Sequence, residues 1–304
     1  MTMVPEYYES IPYVGVIVTS LVLALFTFFY YTPGWSYRAK WDIANVIAAP
    51  GSLILGLLVS YGMNEFTDAN YVTATLFAVS ATTISYMFFQ TLITDVVARK
   101  VDRFSMKLAQ GITFAVAGMY YLYHSNALLT MNLWLAGVIL VAFLVLWQLT
   151  NQFEVATTQH TVFRILRNLV ASGGIIYAAV HVSMSAEFEI WFWILFMLLS
   201  VVMIVFAKNI GGGDSRAILL GMTAGVPVAG VIPALVAFIV YSVLTTIFAM
   251  IAMVRKKKTT IQALTQAGDV RMAAAPMITG VYLALVLLAS ADIVFDWQVF
   301  QGIF

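Results

Sequence analysis

Asp95 and Asp214 are the residues of this 304-residue chain whose surroundings invite chemistry. Asp95 lies in Thr94-Asp95-Val96-Val97-Ala98-Arg99-Lys100-Val101-Asp102-Arg103, at the end of a long apolar run. A carboxylate at a helix C-terminus opposes the helix dipole, and near hydrocarbon it is costly. The plain structural use of such a residue is an i,i+4 ion pair with Arg99. Asp214 follows Gly211, Gly212 and Gly213. Three glycines let the backbone approach another chain closely. The plain alternative is a loop whose Asp caps the next helix. Two carboxylates at one depth can share a proton, because close like charges do not both ionise cheaply. One acid then acts as base on water while the other polarises a scissile carbonyl, which is aspartyl proteolysis.

The elements that must hold these acids are membrane helices. The chain is 62% apolar or aromatic and 10% charged, against roughly 45–50% and 25% in soluble domains. A mean hydropathy of +0.95 excludes both a soluble globule and disorder. Apolar runs fall near 11–31, 43–62, 72–94, 108–123, 129–149, 168–184, 189–207, 216–229, 231–253 and 273–291. They are continuous rather than alternating, which argues against a β-barrel. The stretch from Ala217 to Val254 is too long for one span, and Gly225, Pro227, Gly230 and Pro233 divide it. The expected fold is therefore all-α and polytopic: about ten transmembrane helices, one of them short, with both termini outside.

Charge supports that parse. All 15 Lys and Arg residues fall in alternate connections or at their flanks, ending with Arg255 to Lys258 and Arg271. The opposite side carries Glu6, Glu9, Glu65, Asp68, Glu187, Glu189, Asp292 and Asp296 with no basic residue. The basic side is the cytoplasmic one, and it holds both Asp95 and Asp214. No Lys or Arg precedes the first run, so a cleavable signal peptide is not expected there. The net charge of +1 gives no field for nucleic acid. Cys is absent, which removes thiolate metal sites and a cysteine nucleophile. His124, His160 and His181 are too scattered for a helical metal site, so neither metal nor cofactor is expected.

Three segments together resemble a known family. Asp95 to Arg103 resembles the Asp and following basic cluster of the type IV prepilin peptidases and archaeal preflagellin peptidases, which are GxGD intramembrane aspartyl proteases. Gly211-Gly212-Gly213-Asp214 followed by Ser215 to Gly221 resembles their glycine-Asp segment leading into a short helix. Ala275-Pro276-Met277 with Gly280 resembles their last segment, where a proline motif opens the final helix. The resemblance covers roughly 75–291. It implies Asp95 and Asp214 as catalytic acids, and a prepilin-like membrane protein as substrate. We expect Gly211, Gly212 and Gly213 to form a groove edge for extended substrate, with Arg99 and Lys100 also contacting it.

The chain departs from the family in three respects. Asp102 stands where the family has Pro. The acids are 119 residues apart, roughly double the family's spacing. That surplus predicts an extra helix pair within 108–207, in a peptidase-like membrane domain at 71–304 after a two-helix extension at 1–70. The short first cytoplasmic loop and the lack of Cys imply peptidase activity without N-methylation. The expected setting is the plasma membrane, multi-pass, with the lipid bilayer as solvent. Two other readings stand beside it. One is a transporter or channel whose broken helix at 211–233 lines a substrate site. The other is a catalytically inactive relative.

Overall fold

The computed structural model describes residues 6–29, 38–98, 103–124, 132–152, 157–185, 214–255 and 274–299. The expected span at 189–207, and with it Arg99, Lys100, Asp102 and Gly211 to Gly213, lies outside the described residues. Those described are almost wholly helical and include no strand. Four helical stretches are long and apolar enough to cross a membrane: Tyr8–Thr27, Ala44–Phe66, Tyr71–Asp95 and Ala275–Phe295. Shorter apolar helical stretches run over Trp134–Thr150, Arg216–Ala229 and Ile232–Leu244.

In chain order the described α-helices are α1 (Ile11–Phe29), α2 (Arg38–Phe66), α3 (Tyr71–Ala98), α4 (Arg103–His124), α5 (Leu133–Gln152), α6 (Thr158–Ser185), α7 (Asp214–Ala229), α8 (Val231–Arg255) and α9 (Ala275–Phe295). The chain divides into two compact units. One comprises residues 1–117 and 199–304, and the other 118–198.

In the larger unit α3 is the central helix. Its most apolar window is 72% buried, against 33% for α1 and α2. It packs on α1, α2, α7 and α9. Small residues make this possible. Ala44, Ala48, Ser52, Gly56 and Ser60 recur every four residues along α2 and are all buried. Val46, Ile47, Ile54 and Leu58 on the same helix are exposed. In lipid there is no hydrophobic drive between helices, so close backbone approach and interhelical hydrogen bonds hold them together. Gly56 is the tightest point: a Cβ there would collide with the Thr82 hydroxyl and lie 2.7 Å from Val16.

Hydrogen bonds tie both ends of this unit. At one end Asn64 Nδ2 donates to the Glu9 carbonyl at 2.8 Å, and the rings of Tyr8 and Tyr71 stack tilted at 5.3 Å. Toward the other end Gln90 Nε2 donates to Ser105 Oγ at 3.2 Å, and Ser105 Oγ lies 2.8 Å from Thr27 Oγ1. Between them Tyr86 donates to Asn45 Oδ1, and Thr113 Oγ1 donates to Thr83 Oγ1 at 3.0 Å. α1, α2, α3 and α4 thus alternate in direction, as an antiparallel bundle must when its connections are short.

The helix break expected between 225 and 233 falls at Gly230, whose φ is 89°. Glycine is the residue that adopts this left-handed geometry without penalty. The Gly230 N–H still reaches Val226 O at 2.9 Å, and Ala234 N–H reaches Gly230 O at 3.3 Å. Helical bonding therefore carries across the corner between α7 and α8. Pro276 sits in the first turn of α9, where a missing N–H costs nothing. The other end of α9 closes on Asp296, with φ 49°, and Val299 N–H donates to Asp292 Oδ1 at 2.7 Å.

The smaller unit contains the α5–α6 hairpin. Asn132 caps α5: its Oδ1 accepts from the N–H groups of Trp134 and Leu135 at 3.1 and 3.2 Å. The Asn132 N–H donates to the Tyr177 hydroxyl of α6 at 2.9 Å. Thr157 caps α6 through the His160 N–H at 3.2 Å.

Candidate acid-pair site

Asp95 lies on the last turn of α3 and is 6% exposed. Its position there follows from the helix itself. The apolar run continues to Thr94, and the hydroxyls of Thr91 and Thr94 fold back onto the carbonyls of Met87 and Gln90 at 2.7 and 3.0 Å. Such back-bonding lets polar side chains sit in a buried helix without stranding a donor. Asp214 is the first residue of α7 and its only acid in the first turn. An anion there is favoured by the helix dipole, whereas at the end of α3 the dipole opposes it.

The two acids come from helices far apart in sequence, and α3 packs directly on α7. Asp214 precedes the apolar stretch Arg216–Ala229. Its carboxyl is pushed from 3.8 up to about 7, first by burial and then by the charge of Asp95. A Coulombic effect weakens with distance but still acts across several ångströms in a low-dielectric interior. The packing of α3 on α7 thus leaves Asp95 near enough for its charge to act on Asp214. An acid pair of which one member titrates near neutrality can hold one proton between its two carboxyls.

The third expected segment is beside them. Ala274, Ala275 and Pro276 are buried at the start of α9, and α9 packs on both α3 and α7. Thr279 Oγ1 donates to Ala275 O at 2.9 Å and lies 3.4 Å from Thr91 Oγ1. One turn further, the Tyr282 ring fills the space a Cβ would take at Gly221 of α7 and lies close to Gly225. The Tyr282 hydroxyl donates to Ala234 O of α8 at 3.3 Å.

Sequence reasoning singled out the acids and Pro276 but gave no role of their own to Thr91, Thr279, Gly221 and Tyr282. Two signals were available. Thr91 stands four residues before Asp95 on the same helical face, and Gly221 and Gly225 have the spacing of a close helix crossing. Their partner on α9 was not legible, because nothing in a helical sequence says which neighbour it meets.

Among the described residues no three His, Asp or Glu side chains converge as metal ligands. What the site offers is two largely desolvated carboxyls, able to take a proton from water and to give one to a developing oxyanion. Compared with known proteins, the chain matches no family model, no curated protein and no solved structure.

Proposed function

We propose that the protein is a membrane-embedded aspartic endopeptidase that removes the leader of prepilin-like substrates at the cytoplasmic face of the plasma membrane. The observation that carries this is that the helices of Asp95 and Asp214, 119 positions apart in the chain, pack together with the charge of one acid acting on the other. The proline-opened α9 beside the pair and the motif resemblance support the same reading. In it the chain spans the membrane about ten times with both termini outside. That topology rests on the one-sided distribution of Lys and Arg. Asp95 and Asp214 divide the work: one carboxylate takes the proton of the attacking water, and the protonated partner polarises the scissile carbonyl. Gly211 to Gly213, Arg99 and Lys100 remain the proposed substrate contacts.

The test is leader cleavage by the reconstituted protein on a substrate with a short basic leader and an apolar helix. Asp95→Asn and Asp214→Asn should each eliminate cleavage while leaving abundance unchanged, because an amide cannot accept the proton. Asp102→Asn should be nearly silent. Cleavage that persists in both active-site variants would refute the dyad. If Asp102 proves essential and Asp95 dispensable, the register of the motif is wrong by seven residues.

A second reading, a transporter or channel, draws on the corner at Gly230 with Pro227 and Pro233 around it. Broken helices line substrate sites in transporters. Substrate-dependent ion flux through liposomes carrying the protein, with no cleavage of any leader-bearing peptide, would favour it.

A further inference from the structure

We infer that α9 is the bracket that sets the separation of the two carboxyls, with Thr279 and Tyr282 as its positioning residues. This inference deepens the peptidase reading and rests on it for the consequence in catalysis, although the bracket itself is a statement about geometry.

The two acid-bearing helices meet α9 through different residues one helical turn apart. α3 carries Asp95, and its Thr91 lies one turn before that acid, on the same face. Thr91 Oγ1 faces Thr279 Oγ1 at 3.4 Å, and both residues are buried. α7 carries Asp214 at its start, and Gly221 lies two turns further on. Gly221 has no room for a Cβ, because the Tyr282 ring occupies that volume. Gly225 is held the same way, with a Cβ there falling 3.1 Å from Leu285 and 3.3 Å from Tyr282. The Tyr282 hydroxyl also donates to Ala234 O at 3.3 Å, which fixes the corner where α7 turns into α8. Below Thr279, the Cβ that Gly280 lacks would fall 3.0 Å from Phe88 of α3. The contacts at Thr91, Phe88 and Gly221 each sit within about two turns of an acid. A rigid helix transmits displacement along its axis, so a shift at either contact becomes a shift at a carboxyl.

Thr279 is suited to be changed without unfolding the bundle. Its hydroxyl is bonded to Ala275 O, and that of Thr91 to Met87 O. Thr279→Val removes the cross-helix pair while Thr91 keeps its own acceptor, so no buried donor is stranded. Tyr282→Phe likewise removes one hydroxyl and keeps the ring against Gly221. Gly221→Ala acts in the opposite sense, by driving a methyl into the Tyr282 ring.

The chain has no Cys, so an introduced pair reports alone. Oxidative crosslinking of an Asp95→Cys, Asp214→Cys protein reads the distance between the two positions without any substrate. A Thr27→Cys, Ser105→Cys protein reports α1 against α4, away from α9, and serves as the control for an intact fold. The parent acid-site pair should crosslink readily. Thr279→Val and Tyr282→Phe should each slow it several-fold, and Gly221→Ala by about tenfold or more, with the control pair unchanged. If Gly221→Ala also abolishes the control crosslink it has unfolded the protein, and the two hydroxyl deletions carry the test.

In the cysteine-free protein Thr279→Val should lower kcat with KM unchanged, by up to about a hundredfold for a displacement of about 1 Å. Thr279→Ser should restore it. Acid-site crosslinking that stays within about twofold of the parent in all three variants, with the control intact, overturns the bracket. A parent pair that never crosslinks removes the acid pair and the bracket together. Crosslinking that responds as described in a protein that cleaves no leader-bearing substrate upholds the bracket and refutes the peptidase reading.

Discussion

α3 and α5 are both rich in apolar residues, and they invert each other's surface. α3 is buried on most of its circumference, yet it carries Ser80, Thr82, Thr83, Ser85, Gln90, Thr91, Thr94 and Asp95, all buried. α5 is apolar, yet Trp134, Val138, Leu140, Val141 and Val145 are exposed. A shallow, wholly apolar groove of about 650 Å³ runs along it past Gly137. In water this pattern would be inside out. In lipid it is the economical arrangement, because apolar side chains gain nothing by leaving hydrocarbon, whereas hydroxyls, amides and carboxyls gain by meeting one another. The difference locates function. Polar groups inside a membrane helix are retained where they hold the bundle or do chemistry, and α3 does the first along its length and is proposed to do the second at its end.

Four substitutions probe this contrast, in order of decreasing effect. Gly56→Leu places a side chain where the Thr82 hydroxyl and Val16 already lie. It should cost about 3 kcal/mol or more, read as a collapse of thermal stability in detergent. A stable Gly56→Leu protein would mean that α1, α2 and α3 do not pack this closely.

The second concerns Asp214, whose folded-state carboxyl titrates at about 7 instead of 3.8. The folded state therefore holds its proton more tightly than the unfolded chain does. The stabilisation this brings is full below the ordinary carboxyl range and is lost as pH rises through about 7. Melting measured from about pH 5 to about pH 8 should fall more steeply for the parent than for Asp214→Asn. Parallel curves would show that Asp214 is solvated and far from Asp95.

Thr113→Val, third, removes the hydroxyl that donates to Thr83 Oγ1, while Thr83 keeps its bond to Val79 O. The loss should be about 0.6 kcal/mol, the usual worth of an interhelical hydrogen bond in a membrane bundle. A loss several times larger would show a cooperative polar network along α3 rather than separate pairs. The smallest effect belongs to Gly137→Leu in the α5 groove, where a Cβ meets nothing within 4 Å. Stability should stay within about 0.5 kcal/mol of the parent. A loss comparable with Gly56→Leu would mean that the α5 face packs against protein.

An all-helical chain suited to lipid was legible from composition and run length alone, because these decide whether a backbone can satisfy its hydrogen bonds in hydrocarbon. The sequence also located the break between α7 and α8, since proline and glycine act locally on the backbone, and the structure put it at Gly230. It nominated Asp95, because an acid at the end of an apolar run is costly wherever the chain goes, and Asp214, because it follows three glycines on the same basic side. That the two acid-bearing helices pack together, and that α9 packs on both, came from the tertiary structure alone. It alone showed the division into residues 1–117 with 199–304 and residues 118–198. The physical reason is that helices satisfy their own backbones, so no hydrogen-bond register links one to its neighbour. Which helices pair is settled by fits such as Gly56 under Thr82 and Gly221 under Tyr282, and a fit has two sides that lie far apart in the chain.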